Sequence, residues 1–201
     1  MGVPQLVDFV VGNRFFVAMQ VRDELIALGE ILACQCPERA LEIGTAEGGT
    51  LFFLSRLASP RATILSVDLP GGQFGGGYDA LRAWCYRRFA RSRQRLTLLQ
   101  GDSHTNEMLN RVKAALRGQT LDYLFIDGDH TYEGVKRDFE LYGPLVRKGG
   151  IIALHDIADH PTPLGCEVSR FWNEVKPQRP HIELVADRGQ RWAGIGVLNV
   201  E

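Results

Sequence analysis

The chain has 201 residues, 45% hydrophobic and 23% charged, with a formal net charge of −1. That is the composition of a globular domain with a substantial core, and its near-neutral charge argues against nucleic acid as a partner. No stretch reaches the ~20 apolar residues of a membrane span, and Phe9-Val10-Val11, broken by Gly12, Asn13 and Arg14, is too short for a signal-peptide core. A cytoplasmic protein with no membrane partner is expected. Cys34, Cys36, Cys85 and Cys166 form neither a disulfide framework nor a zinc-type pair of CxxC motifs, so they read as reduced thiols.

In chain order, residues 15–34 carry Phe16, Met19, Leu25, Leu28, Ile31 and Leu32 at helical spacing and read as helical. Residues 1–36 are taken as an N-terminal helical segment of the same domain as residues 37–201. Apolar runs predict strands at 40–44, 62–68, 96–102, 121–127 and 150–155. Helices are predicted at 48–57, 78–93, 106–116, 132–147 and 166–175. Residues 181–186 and 192–200 read as two strands joined by a tight turn near Gly189. Such alternation predicts an α/β, Rossmann-like, doubly wound fold. Its seven-stranded sheet is mostly parallel, with an antiparallel C-terminal strand and helices on both faces. In the 78–93 helix, Leu81, Trp84 and Phe89 are expected to form the buried stripe. The arginines Arg82, Arg87, Arg88, Arg91, Arg93 and Arg95 then form a solvated face, in preference to an RNA contact. The loop 69–77 has glycine at 71, 72, 75, 76 and 77 and reads either as a mobile flap or as a disordered connection.

Chemistry gathers at the ends of the predicted strands, where open α/β sheets bind ligands. The first strand runs into Glu42-Ile43-Gly44-Thr45-Ala46-Glu47-Gly48-Gly49, where glycines admit a ligand to the backbone and a helix N-terminus offers free N–H groups. Asp68 ends the second strand, in place to accept from both hydroxyls of a ribose. A dinucleotide is disfavoured: Ala46 stands at the second glycine position, and Glu47 would bring negative charge to a pyrophosphate. Glu42 suits an ammonium group, and Gly101-Asp102-Ser103 at the third strand end can accept from an adenine amino group. These features point to S-adenosylmethionine. Asp127-Gly128-Asp129-His130 and His155-Asp156 follow the fourth and fifth strands and are expected to converge on a cation or a proton-transfer site.

With these motifs the chain resembles the class I S-adenosylmethionine-dependent methyltransferases. It is most similar to the small metal-dependent O-methyltransferases: the catechol type, the macrocin and other sugar enzymes, and the cephalosporin-hydroxylase-like proteins. The resemblance runs through Leu41-Glu42-Ile43-Gly44-Thr45, Asp68, Gly101-Asp102-Ser103, Phe125-Ile126-Asp127-Gly128-Asp129-His130-Thr131-Tyr132 and Gly149-Gly150-Ile151-Ile152-Ala153-Leu154-His155-Asp156. It implies that residues 37–201 are a methyltransferase domain. Glu42, Gly44, Thr45, Gly48, Asp68, Asp102, Ser103 and Asp127 fall on cofactor positions, and Met19 on a segment lying over the cofactor. Asp127, His155 and Asp156 fall on metal positions. His155 departs from the acid or amide common in metal-dependent relatives. Imidazole is softer than magnesium prefers, so manganese is the alternative to magnesium, and orienting substrate is an alternative role for His155.

The expected reaction is methyl transfer to a hydroxyl of a small molecule, with Asp129 or His130 as the base. Blander roles compete. Asp129 or Thr131 could cap the helix from Tyr132, His104 could cap or flank its own helix, and His160 in a proline-rich loop reads as solvated. Two rival functions are a short-chain NAD(P)-dependent oxidoreductase, from Tyr132 and Lys136, and a non-catalytic cofactor-binding module. The loop 157–165 and the flap are expected to select the acceptor. The hydrophobic N-terminal segment offers a surface for a homo-oligomer.

Overall fold

A computed structural model of the chain describes residues 1–72, 74, 76–91, 93–161 and 165–201. The strands are β1 (Arg39–Ile43), β2 (Thr63–Asp68), β3 (Arg95–Gln100), β4 (Leu121–Ile126), β5 (Val146–His155), β6 (His181–Leu184) and β7 (Ile195–Asn199). The helices are α1 (Val3–Val11), α2 (Arg22–Gln35), α3 (Gly49–Leu57), α4 (Ala80–Arg87), α5 (Asn106–Leu116), α6 (Tyr132–Tyr142) and α7 (Val168–Val175). One seven-stranded sheet has the order β3-β2-β1-β4-β5-β7-β6. Parallel pairing holds from β3 to β5, and β7 runs antiparallel to both of its neighbours. This is the predicted Rossmann-like architecture.

Side chains alternate across the sheet and divide the core in two. Tyr123 and Phe125 of β4 join Ala40, Ile64 and Ala153 beneath α1 to α4. Leu124 and Ile126 join Leu41, Leu65 and Ile152 beneath α5 to α7. Both faces of the central strands are covered, which is why their sequences read as unbroken apolar runs. The chain leaves β1 toward β2 and β3, then returns to β4 on the other side of β1. The crevice beyond the carboxyl ends of β1 and β4 is therefore the place where such sheets receive ligands. No helix among the described residues is long and apolar enough to cross a membrane.

Four predicted elements are corrected. The 15–34 helix begins only at Arg22, because Asn13 Oδ1 accepts from the backbone N–H groups of Phe15 (2.8 Å) and Phe16 (3.1 Å) and turns the chain. Ahead of it lies α1, signalled by Pro4 in the first turn and by Val3, Leu6, Val7 and Val10 at helical spacing, all buried within the chain. The 132–147 helix stops at Tyr142, where Pro144 forces a 3-10 turn and β5 takes over at Val146. On α4 the buried residues are Ala83 and Tyr86, whereas Leu81 and Trp84 are exposed. The turn near Gly189 is present, with the Gln190 N–H donating to the Asp187 carbonyl (3.0 Å), but it does not join the strands directly: residues 185–194 lie between β6 and β7, held by a distant carboxylate described below. Of the candidate flap, Gln73 and Gly75 lie outside the described residues, as do Thr162, Pro163 and Leu164 of the 157–165 loop.

Candidate functional site

The turn after β1 is shaped by Gly44. Its φ is +90°, and an added Cβ would collide with the carbonyl of Asp127 at the end of β4. Gly48 begins α3 at φ +79°, with the Tyr86 ring 2.6 Å from where its Cβ would stand. The chain's own N–H groups converge on Asp68. Its Oδ2 accepts from Thr45 (3.1 Å) and Ala46 (2.7 Å), and its Oδ1 from Gly77 (2.8 Å). The expectation of a carboxylate free for a ribose is thus amended, because Asp68 also fastens the turn and one end of the glycine-rich loop. Burial pushes its pKa above the usual carboxylate value in spite of these donors. Glu42 sits beneath the turn, 1% exposed, beside Thr50, Leu25 and Phe53. It does not lie on the wall of either cavity described next, and its Oε2 has no partner among the described residues. Burial raises its pKa to about 8, so at neutral pH it is largely an uncharged acid.

A first cavity of about 320 Å³ opens over the ends of β1 to β4. Gly44, Ala46, Asp68, Asp102, Ser103, Asp127 and Asp129 contribute to its wall. Asp102 Oδ1 accepts from the His104 N–H at 2.8 Å. His104 joins the same wall, with Nε2 3.5 Å from the fully buried Asp138, which raises its pKa.

A second cavity of about 180 Å³ adjoins the first and shares Gly44, Ala46, Phe74 and Asp127 with it. Met19, Gln20, His130, His155, Asp156 and Trp192 also line it. Here the two acidic clusters converge. His155 Nδ1 lies 3.0 Å from Asp127 Oδ1 and 3.4 Å from Asp156 Oδ2. His130 Nδ1 lies 3.1 Å from Asp156 Oδ2, and its ring stacks on Phe74 at 4.8 Å. Burial alone would lower the pKa of His155, but the Asp127 and Asp156 carboxylates outweigh it and raise it well above the usual imidazole value. Asp156 is held far below the ordinary range: burial opposes this, and His155, His130 and His160 prevail.

Whether these residues fit a metal can be tested on their spacing. Donor atoms of Asp127, His155 and Asp156 lie within 4.8 Å of one another. A divalent ion with bonds of roughly 2.0–2.2 Å sets neighbouring donors roughly 3 Å apart; the 3.0 and 3.4 Å separations from His155 Nδ1 fit this once that nitrogen gives up its proton, as a metal ligand must. Two carboxylates and one imidazole suit manganese and its transition-metal neighbours at least as well as magnesium.

Asp129 stands apart from this cluster. Its Oδ1 accepts from the Thr131 N–H (2.9 Å), Thr131 caps α6 by accepting from Gly134 (3.0 Å), and Asp129 lines the first cavity rather than the second. Met19 is 66% exposed at the rim of the second cavity. His160 is corrected: it is not solvated, its side chain is only 7% exposed, and its Nε2 lies 3.2 Å from Asp156 Oδ1. Two further residues carry no signal in the sequence. Gln20 donates from Nε2 to Asp127 Oδ2 at 2.8 Å, and Trp192 reaches the second cavity from the β6–β7 connection.

Comparison with known proteins places this architecture. Residues 41–157 match the family described as "Methyltransferase domain". Over 160 residues the chain is 28% identical to the uncharacterized protein y4gI of Sinorhizobium fredii, covering 76% of this chain and 16% of that protein. Over 40 residues it is 52% identical to an uncharacterized protein of Acanthamoeba polyphaga mimivirus, covering 20% of this chain and 18% of the other. The chain thus spans less than a fifth of the length of these curated relatives. Among solved structures, the O-methyltransferase from Bacillus cereus in complex with SAH superposes with a TM-score of 0.63 at 18% identity, over 98% of this chain and 88% of that one. The MycE methyltransferase from the mycinamycin biosynthetic pathway, in complex with Mg, SAH and mycinamycin VI, gives 0.62 at 18% identity, over 99% and 54%. At such identities the likeness is one of fold. On the match to its central 117 residues, this chain belongs to the methyltransferase-domain family.

Proposed function

We propose that the chain is an S-adenosylmethionine-dependent O-methyltransferase acting on a hydroxyl of a small molecule, with a divalent ion, magnesium or manganese, at the acceptor. The observation that carries this reading is the wall common to the two cavities. Asp127 faces both, so a donor held over Gly44 and Asp68 would lie against an acceptor held over Asp156. The bound SAH of the Bacillus cereus enzyme and the Mg of MycE support the same assignment by analogy of fold.

Methyl transfer from a sulfonium is an in-line displacement. The acceptor oxygen bonds to the methyl carbon as the carbon–sulfur bond breaks, the electron pair leaves on sulfur, and the hydroxyl proton passes to a base. Asp127, His155 and Asp156 would hold the ion, which when bound lowers the pKa of a coordinated hydroxyl. His130 is the better-placed base. Its Nδ1 is directed at Asp156, while its Nε2 stands 3.6 Å from Asp127 Oδ1, beyond hydrogen-bond distance, so Nε2 is the nitrogen to accept the proton, and Phe74 stacks on the ring. Asp129 is engaged in the turn before α6. Gln20 orients Asp127, and the low exposure of Asp127, His155 and Asp156 limits competition from water. The oxidoreductase reading loses support, because the Tyr132 hydroxyl donates to Glu174 at 2.5 Å and lines neither cavity.

Isothermal titration with S-adenosylhomocysteine and with NAD, each with and without magnesium or manganese, tests the proposal. Saturable binding of the homocysteine compound is the expected result. Tight NAD binding with no response to it would overturn the reading.

A further inference from the structure

The connection between β6 and β7 is built on a buried carboxylate. Glu24, in the first turn of α2 and 1% exposed, gives both of its oxygens to it. Its Oε1 accepts from the Ala186 N–H (3.1 Å) and from Gln190 Nε2 (2.6 Å), and its Oε2 accepts from the Gly194 N–H (2.9 Å). Gln190 Nε2 also donates to the carbonyl of Trp192 at 2.9 Å. Ala193, fully buried, has a φ of +58°, in the left-handed region that non-glycine residues rarely occupy. It is pinned there by the Ala158 N–H donating to its carbonyl (2.9 Å), next to the Gly194 carbonyl that accepts from Ile157 (3.2 Å).

Besides covering His160, whose Nε2 accepts from the Ala193 N–H (3.3 Å), this fixation has a second product. It presents Trp192, 51% exposed, at the rim of the second cavity, where Met19 is also exposed. A large apolar side chain on a strained and clamped segment beside a polar cluster marks a ligand contact more readily than a packing accident. The floor of that cavity is carboxylate and imidazole; its rim is indole, thioether and the Phe74 ring. The complementary ligand directs oxygens downward and a flat apolar face upward.

We propose that Trp192 is a specificity-determining residue for the methyl acceptor. Its indole packs on the apolar face of the acceptor's ring, and Glu24 is the positioning residue that holds it there. An aryl ring and a pyranose both offer such a face, and the test separates them. The proposal rests on the O-methyltransfer reading above.

The test follows the indole N–H resonances of the 15N-labelled protein, with Trp192 assigned by its loss in Trp192→Phe. Catechol and methyl β-glucoside are titrated separately in the presence of S-adenosylhomocysteine and magnesium. One of the two is expected to shift the Trp192 resonance, and the responding compound identifies the ring. Its Kd should rise about tenfold in Trp192→Ala and recover to within about threefold in Trp192→Phe, with affinity for S-adenosylhomocysteine unchanged in both. Glu24→Gln should weaken the same compound while leaving the homocysteine compound bound as before. If S-adenosylhomocysteine binds and neither ring compound moves the Trp192 resonance, the proposal is overturned while the methyltransferase reading stands. If S-adenosylhomocysteine fails to bind at all, both fall.

Discussion

The two cavities that meet at Asp127 are assembled by different means. The first is mainly backbone: a glycine turn at φ +90°, N–H groups gathered on Asp68, and the end of a third strand. The second is side chains drawn from remote places, with Gln20, His130, His155, Asp156, His160 and Trp192 meeting across the sheet edge. A backbone-built pocket is set by local geometry and tolerates little change. A side-chain-built pocket can be altered residue by residue while the fold persists. One scaffold can therefore keep a constant donor and vary its acceptor.

Gly44 should break both cavities together. Gly44→Ala places a side chain against the Asp127 carbonyl at a φ that favours glycine, and a loss of at least about 4 kcal/mol is expected in urea unfolding, together with the affinity for S-adenosylhomocysteine. Asp156→Asn should separate them. Turnover is expected to fall roughly 10²–10³-fold while the Kd for S-adenosylhomocysteine stays within about twofold. Asp127→Asn, facing both cavities, should disturb both quantities; an unchanged metal response in that variant would remove Asp127 from the ligand set. Asp68→Asn attacks the first cavity alone. Loss of a charged acceptor for three N–H groups should cost about 1.5–3 kcal/mol and weaken the homocysteine compound before it affects an acceptor.

Glu42 gives an effect of definite sign. Its folded pKa, about 8, lies above its ordinary 4.5, so between those values the folded state holds a proton that the unfolded state has lost. The Glu42 contribution to stability therefore declines as pH rises from about 4.5 to about 8 and is constant above. Glu42→Gln removes that slope: unfolding free energies from urea titration should agree within about 1 kcal/mol at pH 5, with the variant relatively more stable at pH 8. Parallel pH profiles for the two proteins would disprove the assignment.

Much of this was legible in the sequence because it is local. Apolar runs ending in Gly44, Asp68, Asp127 and Asp156 mark strand termini whichever way the sheet is ordered, and alternation with helices fixes the parallel core. The errors lie where a single residue overrides periodicity, as Asn13 does before α2 and Pro144 does before β5. The site residues that went unread are those whose role depends on distance. Gln20 meets Asp127 across 107 residues, and His160 is buried only because the β6–β7 connection covers it. No window of sequence contains both members of such a pair.

The Glu24 clamp has a consequence for the order in which the protein matures. Its partners lie 162 to 170 positions further along the chain, among the longest separations in the molecule. Contacts of that span close late, after the nearer strand pairings have already lowered the entropy of the chain. On the proposed function, a refolding molecule should therefore gain its first cavity before its indole rim, and pass through a stage that holds the methyl donor but does not yet discriminate among recipients.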